Sequence, residues 1–256
     1  MGLKERQDRE REAVRRSILD AARDLFVAEG YSNVSIRKIA ERIEYSPAAI
    51  YGYFRSKDDI FFSLAEEGFR TLFAARPTSD DLAEPLDRVR RIFSKLYEFS
   101  KAHPEHYALM FVDRTVPRIS RDWERFGFVR EMKGAVAGTI QQCIDRGLFP
   151  PATSPDVVFR ILSSVVHGVA VFRLSDRLAP GENPDALARD ALEAALMGLR
   201  TGISLTFKPA PCQAESDLEE HAVAGIAVHT STAGTNEPSR QEPAGKRPDG
   251  GMLNER

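Results

Sequence analysis

The stretch between Gly30 and Lys57 restricts the possible folds more than any other part of the sequence, because two short helices must start within it. Ser35 is placed to cap the first of them. Ser46 is placed to cap the second, with Pro47 at the first helical position, where the missing N–H of proline costs nothing. Gly30 ends a preceding helix and Lys57 opens a following one. The sequence therefore predicts a first unit of four consecutive helices.

The rest of the chain is also predicted to be helical. Apolar residues recur at helical spacing, strand-like alternation and internal repeats are not visible, and Pro or Gly marks the breaks. The first predicted helix ends near Glu29, and the next three run from Ser35 to about Ile43, from Pro47 to about Phe54 and from Lys57 to about Phe73. The later predicted helices occupy residues 85–101, 104–112, about 123–146, 155–178 and 184–205. We therefore predict an all-α fold.

Three regions follow from this pattern. Residues 12–72 are predicted to form a first domain and residues 73–207 a larger helical domain. Residues 208–256 are rich in Pro, Gly, Ser, Thr, Glu and Ala without periodicity, so they are predicted to be a disordered tail. The net charge of -2 excludes a globally basic nucleic-acid binder, although a local basic face is still compatible with it.

Several other classes of protein are not indicated by the sequence. The two cysteines, Cys143 and Cys212, match no ligand spacing, so neither a metal site nor a disulfide framework is expected. The N-terminus lacks the apolar segment of a targeting peptide, and no stretch is judged long and apolar enough to span a bilayer. We expect a soluble cytoplasmic protein with no membrane partner and no cofactor.

The third predicted helix has one face with almost no side-chain bulk. At 100° per residue, small residues share that face, tyrosines lie at its edges and apolar residues point to the second helix. The small residues are Ala48, Ala49 and Gly52, the tyrosines are Tyr51 and Tyr53, and the apolar residues are Pro47, Ile50 and Phe54. A glycine inside a helix costs about 1 kcal/mol relative to alanine, and close approach of a partner would explain that cost. In a DNA major groove, the backbone would sit deep while both phenol hydroxyls reach phosphates.

Base readout would then fall to the second helix. Arg37 and Lys38 lie near its start, and an arginine can bond O6 and N7 of a guanine together, a contact worth about 1–3 kcal/mol of discrimination. Ser35, at the positive end of that helix, can donate to a phosphate, and Ser46 and Lys57 open the next two helices. The alternative is that the three cations are ordinary solvated charges. Because the three cations lie near two helix caps, DNA binding is favoured over solvated charges.

The run GYSNVSIRKIAERIEYSPAAIYGYFRSKDDIF closely resembles the helix-turn-helix signature of the TetR family of bacterial transcriptional regulators. The matching residues are Phe26, Gly30, Ser35, Ile39, Ala40, Ser46, Tyr51, Phe54, Ser56 and Lys57. Two features depart from the family pattern: Ile43, Glu44 and Tyr45 stand where the family usually has Ala-Gly-Val, and Pro47 stands where many members have a polar or basic residue. The resemblance implies an N-terminal three-helix DNA-binding domain with the helix-turn-helix at residues 35–54.

The resemblance also implies how the larger domain works. Family members are homodimers whose last two long helices form a four-helix bundle, a role that suits residues 155–178 and 184–205. HPEHYALMF at 103–111 and VVHGVAVFRL at 165–174 are similar to a family subgroup with a His-Gly element. Central helices would enclose a pocket for an apolar or aromatic small-molecule effector. The implied function is a repressor that leaves a palindromic DNA operator when the effector binds.

Candidate pocket residues are the bulky side chains of the central helices. They are Phe93, Tyr97, Tyr107, Met110, Phe111, Trp123, Phe126, Phe128, Met132 and His167. For each of them plain core packing is the alternative, because aromatic residues at helical spacing are what protein cores contain. His167, beside Gly168 in an otherwise apolar helix, can hydrogen-bond a ligand or equally a backbone carbonyl.

Two other classes of function were weighed against the regulator. An enzyme would need titratable groups converging in a cleft, and the sequence shows no Ser/His/Asp, Cys/His, metal or Gly-rich phosphate pattern. A helical protein-interaction module that has lost specific DNA binding is favoured by Pro47 and by the acidic overall balance. Salt-sensitive DNA binding would distinguish the regulator from that module.

Overall fold

In the computed structural model the described residues are 2–74, 84–119, 124–202 and 205–207, and all of them belong to one compact unit, residues 1–209. The regular elements within these ranges are all helical, which confirms the all-α prediction. They are α1 (Leu3–Glu29), a 3-10 turn (Tyr31–Asn33), α2 (Ile36–Arg42), α3 (Pro47–Tyr51), α4 (Lys57–Ala74), α5 (Pro85–Ala102), α6 (Pro104–Tyr107) with a π-helical continuation (Ala108–Val112), α7 (Gly127–Asp145), α8 (Pro155–Leu174) and α9 (Pro184–Thr201). The predicted tail and Trp123 lie outside the described residues.

The helix starts follow the predicted capping chemistry. The Ser35 hydroxyl accepts the backbone N–H of Lys38 at 3.2 Å, and the Ser46 hydroxyl accepts that of Ala49 at 3.2 Å. Each bond satisfies an N–H that has no partner inside its own helix. Pro47 occupies the first position of α3, as predicted. The two short helices are therefore started by local interactions that the sequence specifies.

The turn between α2 and α3 depends on a residue in the left-handed conformation. Glu44 has φ +58°, and the next residue, Tyr45, donates its N–H to the carbonyl of Ala40 at 2.9 Å. Glycine takes this conformation without steric cost, whereas a residue with a Cβ does so less readily. The chain thus makes the turn between α2 and α3 with a glutamate in the left-handed conformation.

Three predicted helix ends were wrong because the chain turns earlier than the apolar pattern suggests. α3 ends at Tyr51 rather than near Phe54, so Gly52 is the C-cap, with φ -70° and ψ -17°, and not an interior residue. α8 ends at Leu174, where Asp176 turns the chain with φ +51°. α9 ends at Thr201, because Gly202 takes the left-handed conformation.

The apolar residues of the first four helices form a core that continues into the larger domain. Ile50 and Phe54 are buried, but Pro47, at the first position of α3, is exposed, so the predicted packing of Pro47 on α2 was wrong. Phe61 and Phe69 of α4 are buried as well. One face of α4 therefore belongs to the first domain while the other packs on the segments around α6.

α8 and α9 pack along one another at the far end of the molecule. Contrary to the sequence-based expectation, α8 is long and apolar enough to cross a membrane by length and composition alone. The core helix of a soluble protein passes the same test. Val158, Leu162 and Val166 of α8 are buried in the protein core, so its apolar character has a structural use here.

Candidate nucleic-acid interface and effector site

The side-chain-poor face of α3 is accessible in the structure. Ala48 and Gly52 are exposed and Ala49 is half-buried, while the Tyr51 residue is 56% exposed. Tyr53 is half-buried just beyond the helix end. The small residues therefore form an open surface with a tyrosine projecting beside it. Such a surface permits close approach of a flat or grooved partner, although the cost of Gly52 is not that of an interior glycine.

Two arginines of α1 contact the C-terminal end of α3, and the sequence analysis did not identify either of them. Arg11 donates from Nη2 to the Gly52 carbonyl at 3.2 Å, and its guanidinium carbon lies 5.3 Å from the centre of the Tyr53 ring. Arg15 lies 5.3 Å above the ring of Phe54. The only sequence signal was the spacing of four between the two arginines, which places them on one face of α1.

The predicted base-reading residues lie at the exposed start of α2. The Arg37 side chain is 81% exposed and donates from Nε to the Glu41 carboxylate at 2.8 Å. Lys38 forms an ion pair with Glu29. Exposed pairs of this kind contribute about 0–1 kcal/mol, so a stronger acceptor can replace the carboxylate. Both cations therefore have local partners, yet both can reach outward.

Lys57 is held more firmly than a phosphate-binding role alone would require. Its ammonium donates to the carbonyls of Tyr31 at 2.8 Å and Val34 at 2.9 Å, and it lies 4.1 Å from the centre of the Tyr31 ring. Burial lowers the pKa of Lys57. Two of its three donors thus fasten the segment before α2, and its contact with DNA stays a prediction.

Three of the predicted effector residues meet at one place. The Phe111 ring lies 5.0 Å from that of Tyr107 and 4.9 Å from that of His167, and Phe111 remains 37% exposed. The Tyr107 hydroxyl is hydrogen-bonded to Nδ1 of His167. The partner of His167 is therefore a side chain and not the backbone carbonyl considered above. Burial lowers the pKa of His167 and raises that of Tyr107, so both groups are neutral at pH 7.

A chain of aromatic contacts connects this trio with other predicted residues. Phe69 of α4 lies 5.9 Å from Phe111 and 6.1 Å from Phe126, and Phe126 lies 6.3 Å from Phe128. Met110 packs on Gly68, where an added Cβ would come within 2.3 Å of its sulfur. The aromatic chain thus runs from α8 through the π-helical segment to α4 and α7.

The remaining candidates do not join that chain by any described ring contact. Phe93 contacts Phe159 at 5.9 Å, and Met132 is half-buried on α7. The Tyr97 hydroxyl donates to the carboxylate of Asp185 at 2.9 Å. Burial, with a contribution from this hydrogen bond, raises the pKa of Tyr97 to about 12. Tyr97 therefore attaches α5 to the first turn of α9, which is a structural role.

Polar contacts of Asp113 and of Arg125 link the larger domain to the first one. The Asp113 carboxylate, which directly follows the π-helical segment, accepts the backbone N–H of Tyr31 at 3.4 Å. Arg125, just before α7, makes three contacts with α4: its guanidinium donates to Asp59 at 3.0 Å, Ser63 at 2.7 Å and Glu66 at 2.7 Å. Arg125 could not be singled out from the sequence, because it lies among several other charged residues.

Among the described residues, no cluster of three or more His, Cys, Asp or Glu side chains is arranged to hold a metal ion. The Tyr107 and His167 side chains at the aromatic chain are both neutral and hydrogen-bonded to each other. The arrangement can recognise an apolar molecule and offer it one neutral imidazole.

Two family models match the chain. Residues 18–64 match the model described as bacterial regulatory proteins, tetR family. Residues 89–195 match the model described as tetracyclin repressor-like, C-terminal domain. Together the two matched ranges cover more than half of the 256 residues, and they fall on the helices described above.

Individual proteins agree with these matches. The chain is 28% identical over 193 residues to the HTH-type transcriptional repressor Rv1474c of Mycobacterium tuberculosis, covering 69% of this chain and 88% of that protein. The structure of the ketosteroid transcriptional regulator KstR2 of the same organism matches with a TM-score of 0.56 at 22% identity, covering 72% of this chain and 94% of that one. Transcriptional regulator FadR from Bacillus subtilis, in complex with stearoyl-CoA, gives a TM-score of 0.59 at 16% identity, with coverages of 71% and 97%. These two structural similarities establish the shared fold.

Proposed function

Since the chain belongs to the tetR family of bacterial regulatory proteins, we propose that it is a repressor that binds a palindromic operator as a homodimer and is released by a small-molecule effector. Family membership makes it a DNA-binding transcriptional regulator and not an enzyme. The observation that carries the proposal is the open face of α3, with Gly52 exposed and Tyr51 projecting beside it. We place the protein in the bacterial cytoplasm, where the chromosome is accessible to it.

The exposed positions of these side chains support a division of the DNA contacts between α2 and α3. α3 would lie in the major groove, where its small residues allow the backbone to approach, and Tyr51 and Tyr53 would donate to phosphates on either side. Arg37 would read a guanine from the exposed start of α2. Lys38 would read bases beside Arg37, while Ser35 and Lys57 would bind phosphates.

Two substitutions separate base reading from phosphate binding. Arg37→Ala should lower the affinity for the preferred sequence by about 1–3 kcal/mol and remove discrimination at one base step, because the two guanine acceptors lose their donor. Tyr51→Phe should weaken binding to all sequences similarly, since a phosphate is the same in each of them. Fluorescence anisotropy with the preferred duplex and with single-base variants measures both effects. Equal losses on every duplex for both variants would refute this division.

A homodimer is supported by the exposed apolar residues of the last two helices. Phe172 of α8 is 52% exposed and Met197 of α9 is 61% exposed. A bundle of α8 and α9 from two copies would cover apolar side chains of this kind. Two copies joined through α8 and α9 would present their α3 helices to half-sites about 34 Å apart, one turn of B-DNA.

Met197→Lys tests that interface. Burying an unpaired ammonium is unfavourable, so we expect the dissociation constant of the dimer to rise at least about tenfold, equivalent to about 1.4 kcal/mol. Sedimentation velocity over a dilution series measures it. The matched control is Val27→Lys on α1, where the side chain is 44% exposed and far along the sequence from α8 and α9. If both variants associate equally well, the dimer does not use this face.

The proposal that an effector releases the protein from DNA is supported by a series of contacts that leads from His167 to the first domain. We place the effector against Phe111 and His167, which are partly exposed and whose rings are in contact, with the buried ring of Tyr107 behind them. The π-helical segment that carries Phe111 is followed directly by Asp113, whose carboxylate accepts the backbone N–H of Tyr31. π-Helical segments occur often at functional sites. A ligand that favours another arrangement of this segment would lower DNA affinity by shifting the population away from the binding state.

The chemistry of this site suits an apolar or aromatic molecule with a hydrogen-bonding group. His167 is neutral, so a hydrogen bond and not a charge would orient the ligand. FadR from Bacillus subtilis, which shares the fold, holds stearoyl-CoA. The stearoyl chain of that ligand is apolar, which supports an effector with an apolar part here, and a screen against the DNA complex would identify it.

The proposed function is tested by selection from a pool of random duplexes with the full chain. We expect enrichment of a palindrome after a few rounds, because two copies related by a two-fold axis read two inverted half-sites. Recovery of unrelated sequences only would contradict the proposal and would favour the helical interaction module instead.

A further inference from the structure

The first three turns of α1 are helical without any contribution from the core. Residues 4–13, here called the N-terminal arm, are exposed throughout, and the first residue of α1 that packs on the core is Val14. Local contacts support the helix: the Gly2 N–H donates to Glu5 at 3.0 Å, and Arg6 pairs with Glu10 at 2.9 Å. Exposed helix of this kind contributes little stability on its own. The arm is therefore expected to act through the groups that it contacts.

The arm contacts the end of α3 through Arg11. Its Nη2 donates to the carbonyl of Gly52, the C-cap residue, where a cation also complements the negative end of the helix. The same guanidinium lies over the ring of Tyr53. One side chain therefore fixes two neighbouring groups at the end of α3, a main-chain carbonyl and an aromatic ring. Arg15, one turn further on, lies over the ring of Phe54, which is buried.

The geometry points to Arg11 as a positioning residue for DNA binding, one that acts through Tyr53 and not by contacting a phosphate itself. This inference rests on the proposed function. Tyr53 lies beyond the last turn of α3, so the helix does not hold its ring. A half-buried ring covered on one side by a guanidinium loses rotational freedom, and its hydroxyl then meets the DNA without a further entropic cost.

The inference distinguishes an indirect role from a direct one. A direct phosphate contact by Arg11 would release counterions, and the slope of log affinity against log salt would fall by about 0.9 when the contact is removed. A positioning role leaves the slope unchanged, because a tyrosine hydroxyl carries no charge. It also makes the effects of Arg11 and Tyr53 non-additive, since both substitutions remove the same contact.

The test uses the full chain and the duplex that it selects from the random pool. Affinity is measured at four salt concentrations for the unaltered protein, Arg11→Ala, Tyr53→Phe and the double variant. Arg6→Ala is the matched control, because it removes the same charge from the same arm at a side chain that is 74% exposed. Circular dichroism checks that each variant keeps its helical content.

We expect Arg11→Ala to lower affinity about tenfold at an unchanged salt slope, while Arg6→Ala stays within about twofold. The double variant should bind about as weakly as Tyr53→Phe alone, because Arg11 acts only through the contact that Tyr53→Phe already removes. Additive losses, a slope lowered by about 0.9, or equal affinities for Arg11→Ala and Arg6→Ala would each overturn the inference and leave the proposed function standing. If the unaltered chain selects no duplex, the proposed function fails, and this inference fails with it.

Discussion

Gly52→Leu is expected to lower the affinity for the selected duplex at least about a hundredfold, equivalent to about 2.7 kcal/mol, while the protein stays folded. Gly52 is exposed at the C-cap of α3 with φ -70°, a conformation that leucine adopts without strain. An added Cβ would lie 3.2 Å from the Ala49 carbonyl oxygen, so a shift of a few tenths of an ångström accommodates it. The rest of the side chain would fill the space that the groove must occupy.

The matched control for this substitution is Gly134→Leu on α7. Gly134 is also exposed, and an added Cβ there meets nothing within 4 Å. Anisotropy titrations should show normal affinity for the control and a large loss for Gly52→Leu, with both proteins melting as the unaltered chain does. Full affinity of Gly52→Leu would mean that α3 does not approach DNA through this face.

Arg125→Ala is expected to lower the free energy of unfolding by about 2–3 kcal/mol, because the partly buried carboxylates of Asp59 and Glu66 each lose a charged donor, while Glu66 keeps its pair with Arg70. The Arg125 side chain is only 20% exposed, and its guanidinium binds Asp59, Ser63 and Glu66. Urea denaturation measures the change. Arg70→Ala is the control: Arg70 also binds Glu66, at 2.9 Å, but its side chain is 63% exposed, so its removal should cost less than about 0.5 kcal/mol.

The effect of Arg125→Ala should depend on pH in a definite direction. Burial acts to raise the pKa of Glu66, but the hydrogen bonds from Arg125 and Arg70 outweigh it and hold that pKa below its ordinary value. The stabilisation is therefore complete above the ordinary glutamate pKa of about 4.3 and is lost as the pH falls through the lower pKa of the folded state. The difference between the two proteins should be full at pH 7 and should shrink toward pH 3. A difference that is constant over this range would exclude the ion pair as its cause.

The features that the sequence predicted well are those determined by neighbouring residues. Ser35 and Ser46 cap helices because each hydroxyl reaches an N–H three residues ahead, and Gly30 ends α1 because its own φ is positive. These interactions need no knowledge of the rest of the chain. Helix starts and the all-α fold could therefore be predicted.

The features that the sequence could not predict depend on residues far apart in the chain. Arg11 meets Gly52, and Arg125 meets α4, only after the helices have packed, and neither arginine differs from its charged neighbours in sequence. The end of α3 also depends on packing with distant residues. The apolar pattern continues to Phe54, yet the helix ends at Tyr51 and Phe54 is buried in the core. The cost assigned to Gly52 as an interior residue was wrong for this reason.

The most direct test of the central claim is titration of the purified chain into the DNA upstream of its own gene, followed by gel shift at two salt concentrations with excess random DNA. The account predicts a discrete complex that survives the competitor and that weakens steeply between the two salt concentrations, because phosphate contacts release counterions. A chain that forms no complex with this DNA, and none with duplexes selected from a random pool, would contradict the account.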